Sequence, residues 1–180
     1  MNPPARNIYL IGPTGSGKTA VGRQLARATG LRFLDSDHEI EKRTGVEVGF
    51  IFEKEGEAGF RERETEMIAE LTGLDGVIVA TGGGAVLAKK NRERLAASGI
   101  VVYLKTGVAE QLKRTGRSRK RPLLNRDEPS RVLEQMAGKR SPLYEEIADL
   151  ELDTSNQRVR SVALELKALL EERGLLPLQN

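Results

Sequence analysis

A glycine-rich segment between an apolar run and a helical pattern constrains the fold of this chain most. Residues 7–11, Asn-Ile-Tyr-Leu-Ile, form a short apolar run typical of a buried strand. Residues 12–19, Gly-Pro-Thr-Gly-Ser-Gly-Lys-Thr, follow directly and match G-x-x-x-x-G-K-[ST]. Apolar residues then recur at helical spacing as far as Gly30, a typical stop signal. This order of strand, loop and helix predicts a phosphate-binding loop in an α/β domain.

The residue types of the loop suit a nucleotide. Glycines let the backbone approach an anion closely, so that successive N–H groups can point at phosphates. We expect Lys18 to reach the β- and γ-phosphates and Thr19 to place its hydroxyl on Mg²⁺. A chance glycine turn is the alternative, but the flanking strand and helix fit the motif. The loop predicts a nucleoside triphosphate and magnesium, without saying what is done with them.

Strand-like and helix-like patterns alternate along the rest of the chain. Strands are predicted over 31–34, 76–80, 100–104 and 148–152, and a loop over 118–127. Helices are predicted over 18–28, within 37–71 (57–71 most clearly), over 87–97, from about 108, and over 130–147 and 158–173. We expect Pro142 to break or restart its helix. The alternation predicts right-handed crossovers and a parallel sheet covered by helices on both faces.

Composition excludes several classes of protein. The 180 residues fit one domain, so 1–180 is predicted to be a single unit. The chain has no cysteine, which excludes a disulfide scaffold and a Cys nucleophile, and its one histidine, His38, is expected to be a solvated side chain. A net charge of +3 suits a small anionic substrate as well as nucleic acid. With no long apolar run and no signal-like start, we expect a cytoplasmic protein without a membrane partner.

The absence of other motifs narrows the kind of P-loop protein. A GTPase should show N-K-x-D, and the nearest segment, Asn125-Arg126-Asp127, has the wrong residues and spacing. A motor ATPase usually has an apolar strand that ends in Asp, whereas the strand at 76–80 runs into Thr81 and three glycines. A small-molecule kinase remains, and its acceptor must be read from other residues.

An ordered set of six motifs resembles the shikimate kinase family over nearly the whole chain. The motifs are 12–19, Leu34-Asp35-Ser36-Asp37, Phe60-Arg61-Glu62-Arg63-Glu64, Ala80-Thr81-Gly82-Gly83-Gly84-Ala85, Arg121-Pro122-Leu123-Leu124 and Lys139-Arg140-Ser141-Pro142-Leu143-Tyr144. The resemblance implies a three-layer α/β/α P-loop NTPase fold with a five-stranded parallel sheet, substrate-binding helices at about 37–64 and a lid at about 115–127. It also implies transfer of the ATP γ-phosphate to the 3-hydroxyl of shikimate, giving shikimate 3-phosphate and ADP, in the pathway to chorismate and the aromatic amino acids.

The resemblance assigns roles to individual residues. Catalysis falls to Lys18, Asp37 and Arg121, and shikimate binding to Asp37, Arg61, Gly83 and Arg140. ATP binding falls to Gly15, Ser16, Gly17, Lys18, Thr19, Ala20, Arg114, Arg121 and Gln157. Thr19 would bind Mg²⁺ directly and Asp35 through water. Ala20 departs from the family, which often has a second hydroxyl residue there, so Thr19 is the only local hydroxyl ligand.

Elementary chemistry supports several of these roles and leaves alternatives. Asp35 and Asp37 follow a strand at its carboxyl end, where ligands of open α/β sheets bind, but Asp37 is also suited to cap a helix. A guanidinium at Arg61 or Arg140 matches a carboxylate bidentately, and Glu64 can orient Arg61 from one helical turn away. Alternating charges over 61–64 also fit an exposed face of ion pairs.

The basic segment Arg114–Arg121 has two interpretations. It can be a lid that closes over ATP and presents an arginine, or a surface for RNA. An aromatic content of 4% without tryptophan favours the lid, because few rings are present for base stacking. We therefore expect ATP and shikimate as partners, no nucleic acid, and a monomer. A gluconate kinase and a nucleotide-dependent or RNA-binding switch remain the alternatives, and residues 153–156 are expected to border adenine.

Overall fold

The computed structural model of the protein describes residues 6–115 and 128–176. Five strands in this part form one parallel sheet in the order β2-β3-β1-β4-β5. The strands are β1 (Asn7–Ile11), β2 (Arg32–Asp35), β3 (Val77–Ala80), β4 (Gly99–Lys105) and β5 (Leu150–Asp153). Since β1 lies in the middle, the glycine-rich loop that follows it leaves the sheet at its centre.

Helices connect each strand to the next. They are α1 (Lys18–Thr29), α2 (Ser36–Thr44), α3 (Val48–Leu71), α4 (Lys89–Ser98), α5 (Val108–Thr115), α6 (Pro129–Ile147) and α7 (Val159–Glu172), with a short 3-10 helix at Ala85–Leu87. None of the helices in the described ranges is long and apolar enough to cross a membrane.

The core consists of two apolar layers, one on each face of the sheet. Tyr9 and Ile11 of β1 belong to a cluster with buried residues of α3, α4 and α6, such as Phe60 and Leu95. The alternate residues of the strands belong to a second cluster with α1 and α7, built on Ile8, Leu10, Val21, Leu25, Val162 and Leu166. This three-layer arrangement confirms the predicted fold class, and each predicted strand lies within two residues of its observed bounds.

The prediction that Pro142 breaks its helix is wrong. Helix α6 runs from Pro129 to Ile147 with Pro142 inside it. The carbonyl that loses its partner belongs to Gly138, which is exposed to water. Leu133, Arg140 and Tyr144 on the buried side of α6 span the proline. Packing on both sides of Pro142 therefore outweighs its local effect.

Helix α3 is two helices joined at Gly56. This residue has φ 72° and ψ −178°, a conformation that is essentially restricted to glycine. Residues 57–71, predicted as one helix, begin directly after it. The substrate-binding helices expected at about 37–64 thus correspond to α2, both parts of α3 and the turn between them. Of the lid expected at about 115–127, all but Thr115 lies outside the described residues.

Candidate active site

The glycine-rich loop curls around the side chain of Lys18. Gly12, Gly15 and Gly17 have φ of 147°, 76° and 88°, values that L side chains rarely adopt. The Lys18 ammonium donates hydrogen bonds to the carbonyl oxygens of Gly12 at 2.7 Å and Pro13 at 2.9 Å. These bonds hold its charge inside the loop, at the N-terminus of α1, where an anion is favoured.

Side chains from two other elements hold the outside of the loop. The Gln111 amide of α5 donates to the Thr14 carbonyl at 2.9 Å. Arg114 donates to the carbonyls of Gly15 at 3.0 Å and Thr154 at 2.8 Å, and the Thr154 hydroxyl donates to the Ser16 carbonyl at 2.9 Å. No role was predicted for Gln111, because a polar residue in a short amphipathic helix has no sequence signature of such a contact.

A cleft of about 560 Å³ opens beside the loop. Its lining brings together many of the predicted ATP, metal and acceptor residues, namely Gly15, Gly17, Lys18, Thr19, Ala20, Asp35, Asp37, Gly83 and Arg114. Ser16 is fully buried beneath the loop instead. Gln157 is exposed and donates to the Asp153 carbonyl at 2.7 Å, so its side chain does not line the cleft.

Asp35 joins the loop to the start of α2. One oxygen, Oδ2, accepts a hydrogen bond from the Thr19 hydroxyl at 2.6 Å. The other, Oδ1, accepts from the backbone N–H groups of Asp37 at 3.0 Å and His38 at 3.2 Å, which makes Asp35 the N-cap of α2. The alternative of Asp37 as the cap is therefore wrong. Its side chain is free of that task and lines the cleft.

The residues present fit a magnesium ion. The Thr19 hydroxyl and the Asp35 carboxylate are adjacent hard oxygen donors in the cleft, the type that Mg²⁺ prefers. The described residues contain no group of three or more His, Asp or Glu side chains placed as metal ligands. A nucleotide-bound Mg²⁺ needs fewer, since phosphates and waters complete its shell.

A cluster of charged side chains lies under the segment Gly82–Gly84. The Arg61 guanidinium donates to Glu64 Oε1 at 2.7 Å, and it pairs with Glu57 at 3.3 Å. Glu64 is 1% exposed and Arg140 8% exposed. The alternative of a solvated ion-pair face is therefore wrong for Arg61 and Glu64, although the predicted i, i+3 pairing between them is observed.

Each glycine of this segment leaves room for a neighbouring polar group. A Cβ on Gly82 would lie 2.7 Å from Glu64 Oε2 and 2.9 Å from Asp37 Oδ1. A Cβ on Gly84 would overlap the guanidinium of Arg61. One on Gly83 would lie 3.3 Å from the Thr14 nitrogen in the phosphate loop. The three glycines thus let charged side chains pack directly against the backbone.

Three buried polar atoms of this cluster lack a hydrogen-bond partner. Within the described parts of the chain, no group pairs with Asp37 Oδ1, Arg61 Nε or Glu64 Oε2. A buried polar atom without a partner is costly, and native structures contain few of them. Asp37 Oδ1 and Glu64 Oε2 lie beside Gly82, and Arg61 lies beside Gly84, so this segment is where a ligand with hydroxyl groups can supply missing partners.

Burial and like charges shift the carboxyl groups of the cluster toward the protonated form. Burial, with the charges of Glu64 and Asp35, raises the pKa of Asp37 from an ordinary 3.8 to about 7. Burial also raises the pKa of Glu64, with a larger effect than the opposing one of Arg61. Burial lowers the pKa of Arg140. Burial acts in the same direction on Arg61, but its carboxylate partners outweigh it and its pKa is raised.

Arg140 also borders a second cavity of about 530 Å³, lined by Glu57, Leu87, Val132, Gln135, Met136, Gly138 and Lys139 as well. The two arginines lie close enough for the charge of Arg61 to lower the pKa of Arg140. The structure thus brings Asp37, Arg61, Gly83 and Arg140 to one place. Arg121 lies outside the described residues.

This fold, with a phosphate loop facing a buried charged pocket for a small ligand, defines a P-loop small-molecule kinase. A family model described as shikimate kinase matches residues 14–171. The chain belongs to the shikimate kinase family. This confirms the resemblance seen in the motifs, and it confirms an enzyme that uses ATP as co-substrate.

Individual relatives agree with the family assignment. Shikimate kinase 1 of Enterobacter sp. (strain 638) is 54% identical over 167 residues, which cover 92% of this chain and 96% of that protein. Shikimate kinase of Vibrio campbellii is 51% identical, covering 93% and 98%. A structure of shikimate kinase from Acinetobacter baumannii in complex with shikimate has a TM-score of 0.91 at 49% identity, covering 93% and 94%. These matches decide against a gluconate kinase.

Proposed function

We propose that the protein transfers the γ-phosphate of ATP to the 3-hydroxyl of shikimate, giving shikimate 3-phosphate and ADP, in the pathway to chorismate and the aromatic amino acids. Membership of the shikimate kinase family gives the reaction. The observation that carries the proposal for this chain is the cluster of unpartnered buried atoms on Asp37, Arg61 and Glu64. An acceptor with one carboxylate and several hydroxyls supplies partners of the required kind.

On the donor side, the backbone N–H groups of the phosphate loop hold the phosphates. Gly15, Ser16, Gly17 and Ala20 contribute backbone, and Lys18 exchanges its loop carbonyls for phosphate oxygens. Arg114 borders adenine, a role supported by its contact with Thr154. For Gln157 the support is the resemblance alone, since its side chain turns to the Asp153 carbonyl.

Magnesium would be held by the Thr19 hydroxyl directly and by Asp35 through water. When bound, the ion neutralises charge on the phosphates. The Asp35 side chain orients the Thr19 hydroxyl by accepting its hydrogen bond, which leaves the lone pairs of the hydroxyl for the ion.

On the acceptor side, Arg61 and Arg140 bind the shikimate carboxylate and the Gly83 backbone contacts the ring. Both guanidinium groups lie at the glycine segment, where Gly83 is next to Arg140 and Gly84 is next to Arg61. A planar guanidinium suits a carboxylate because two parallel N–H groups can bind its two oxygens.

Asp37 accepts the proton of the attacking hydroxyl. Its pKa of about 7 is matched to a proton acceptor working near neutral pH. The hydroxyl oxygen forms a bond to the γ-phosphorus as the bond to the ADP oxygen breaks, so positioning and charge neutralisation supply most of the catalysis. Arg121 is proposed to contact the transferring phosphoryl group from the lid, on the basis of the resemblance.

The remaining parts of the proposal concern the protein in the cell. We expect a cytoplasmic monomer that works on small molecules and does not bind nucleic acid. The small charged pocket and the cysteine-free sequence support this. Sedimentation with and without RNA tests both the oligomeric state and nucleic-acid binding.

ADP release in the presence of ATP and Mg²⁺ tests the reaction. Shikimate, gluconate and no acceptor are compared, with EDTA as a control for the metal. We expect turnover with shikimate only, and none after chelation. Equal ADP release without an acceptor would show a simple ATPase and refute the proposal.

A further inference from the structure

Tyr144 is a buried tyrosine that the proposed reaction leaves without a role. It lies on α6, is 1% exposed, and its hydroxyl donates a hydrogen bond to the Gly83 carbonyl at 2.5 Å. Its ring packs against Tyr103 with the centroids 4.9 Å apart. The hydroxyl therefore joins α6 to a backbone segment 61 residues away in the sequence.

Gly83 is held between the phosphate loop and α6. A Cβ at this position would lie 3.3 Å from the Thr14 nitrogen of the phosphate loop and 3.6 Å from Arg140 Nη1. Tyr144 follows Arg140 by one helical turn, so both side chains lie on the same face of α6. One turn of α6 thus contributes an arginine of the acceptor site and the hydroxyl that fixes the neighbouring glycine.

The Tyr144 hydroxyl remains a donor over the working pH range. Burial raises its pKa well above the ordinary value of 10.0, and the nearby Arg140 lowers it by less. A protonated phenol that donates to a carbonyl fixes the peptide plane to which that carbonyl belongs. Here it is the plane between Gly83 and Gly84, with Arg61 packed against Gly84.

We propose that Tyr144 is a positioning residue for the acceptor. It holds the Gly83–Gly84 peptide in the orientation that sets the acceptor at the correct distance from the phosphate loop. This inference rests on the proposed function, since it needs an acceptor bound at Gly83. Tyr144 itself does not touch the reacting atoms; it acts through the Gly83 carbonyl. Losing the hydroxyl removes the hydrogen bond that the described structure gives this carbonyl and loosens the orientation of the peptide.

Tyr144→Phe removes the hydroxyl and keeps the ring. Tyr9→Phe is the matched control, because Tyr9 is fully buried and its hydroxyl bonds to Asn7 and Ser98 away from the cleft. We expect about a tenfold rise in the KM for shikimate in Tyr144→Phe, with the KM for ATP within about twofold of wild type. Tyr9→Phe should change neither constant, while both variants lower Tm by similar amounts.

The outcomes separate the inference from the proposed function. Absence of turnover in wild type defeats the function and the inference together. An active wild type with equal shikimate constants in the two variants overturns the inference alone. A Tm loss in Tyr144→Phe far beyond that of Tyr9→Phe, with both substrates affected equally, assigns Tyr144 to the core and also overturns it. Calorimetric titration of shikimate without nucleotide should show the same tenfold weakening.

Discussion

The two halves of the active site are built on opposite principles. In the phosphate loop, protein groups already pair with one another: Lys18 with loop carbonyls, Thr19 with Asp35, and Gln111 with the Thr14 carbonyl. In the acceptor pocket, polar atoms of Asp37 and Glu64 are buried without a partner in the described structure. The side chains of the loop are thus paired without a ligand, whereas buried side-chain atoms of the pocket are not.

This difference predicts that the two halves differ in stability when empty and in selectivity for their ligands. A loop whose side chains are already paired loses little when it is empty, and Lys18 exchanges its bonds to loop carbonyls for phosphate contacts when a ligand binds. A pocket with unpaired buried atoms is destabilising when empty and rejects a ligand that cannot supply the missing partners, since such a ligand leaves those atoms buried and unpaired. Selection of the acceptor is therefore expected to depend on the pocket, and general phosphate binding on the loop.

Loss of the Lys18 charge should have the largest effect. We expect Lys18→Ala to lower kcat by about 10³-fold or more, because no other described side chain places an ammonium inside the loop. Steady-state ADP release measures this. Lys89→Ala, at an exposed position on α4, should leave kcat unchanged. A nearly normal rate in Lys18→Ala would refute its role at the phosphates.

Asp37→Asn should have the next largest effect, and it should distinguish the acceptor pocket from the phosphate loop. We expect kcat to fall by about 10²- to 10³-fold while the Kd for ATP stays near wild type, since the amide keeps its shape but accepts no proton. Rapid-quench kinetics and calorimetric titration of ATP measure the two quantities. Glu62→Gln, an exposed neighbour of Arg61, is the control. Weakened ATP binding in Asp37→Asn would place Asp37 in the donor half instead.

Arg140→Ala tests the acceptor half by itself. The change should raise the KM for shikimate by about 10- to 100-fold with a smaller effect on the KM for ATP, because it removes the buried guanidinium that we propose binds the carboxylate. The exposed neighbour Lys139→Ala should behave like wild type. An unchanged shikimate KM in Arg140→Ala would contradict the carboxylate-binding role.

The smallest effect concerns stability rather than rate. The pKa of Asp37 is raised in the folded protein, so the folded state binds more protons than the unfolded state between about pH 4 and 7, and Asp37 lowers stability as pH rises through that range. Asp37→Asn should therefore raise the Tm of the nucleotide-free protein by a few degrees at about pH 8, and by less at about pH 5. Thermal melts at both pH values measure the difference. The control Glu62→Gln should change the Tm equally at the two pH values. If Asp37→Asn also changes the Tm equally at the two pH values, the buried-charge explanation is contradicted.

The sequence predicted the features that depend on local pattern. The apolar run at 7–11 and the glycine signature after it determine β1, the loop and α1 within one residue. The alternation of strand-like and helix-like patterns along the chain predicted the parallel sheet. The acceptor residues came from the motif resemblance, since no spacing argument alone brings Arg61 and Arg140 together from helices separated by two strands.

Other features depend on tertiary contacts that no local pattern shows. Asp35 and Asp37 are equally good caps by type, and β2 extends one residue further than predicted, so that Asp35 takes the cap. Pro142 is a helix breaker by propensity, but α6 is held by packing on both sides of it. Tyr144 stood in a quoted motif without a role, although its spacing of four from Arg140 was a usable signal.

The bend at Gly56 has a consequence for genetics. Any other residue there carries backbone strain of about 1–3 kcal/mol, although a Cβ would meet nothing within 4 Å. Gly56→Ser should thus weaken folding without touching a reacting group. Such an allele is expected to be temperature-sensitive, so that cells grow when cool and require aromatic amino acids when warm. A glycine that contacts no reacting group would then serve as a conditional switch for the whole biosynthetic route.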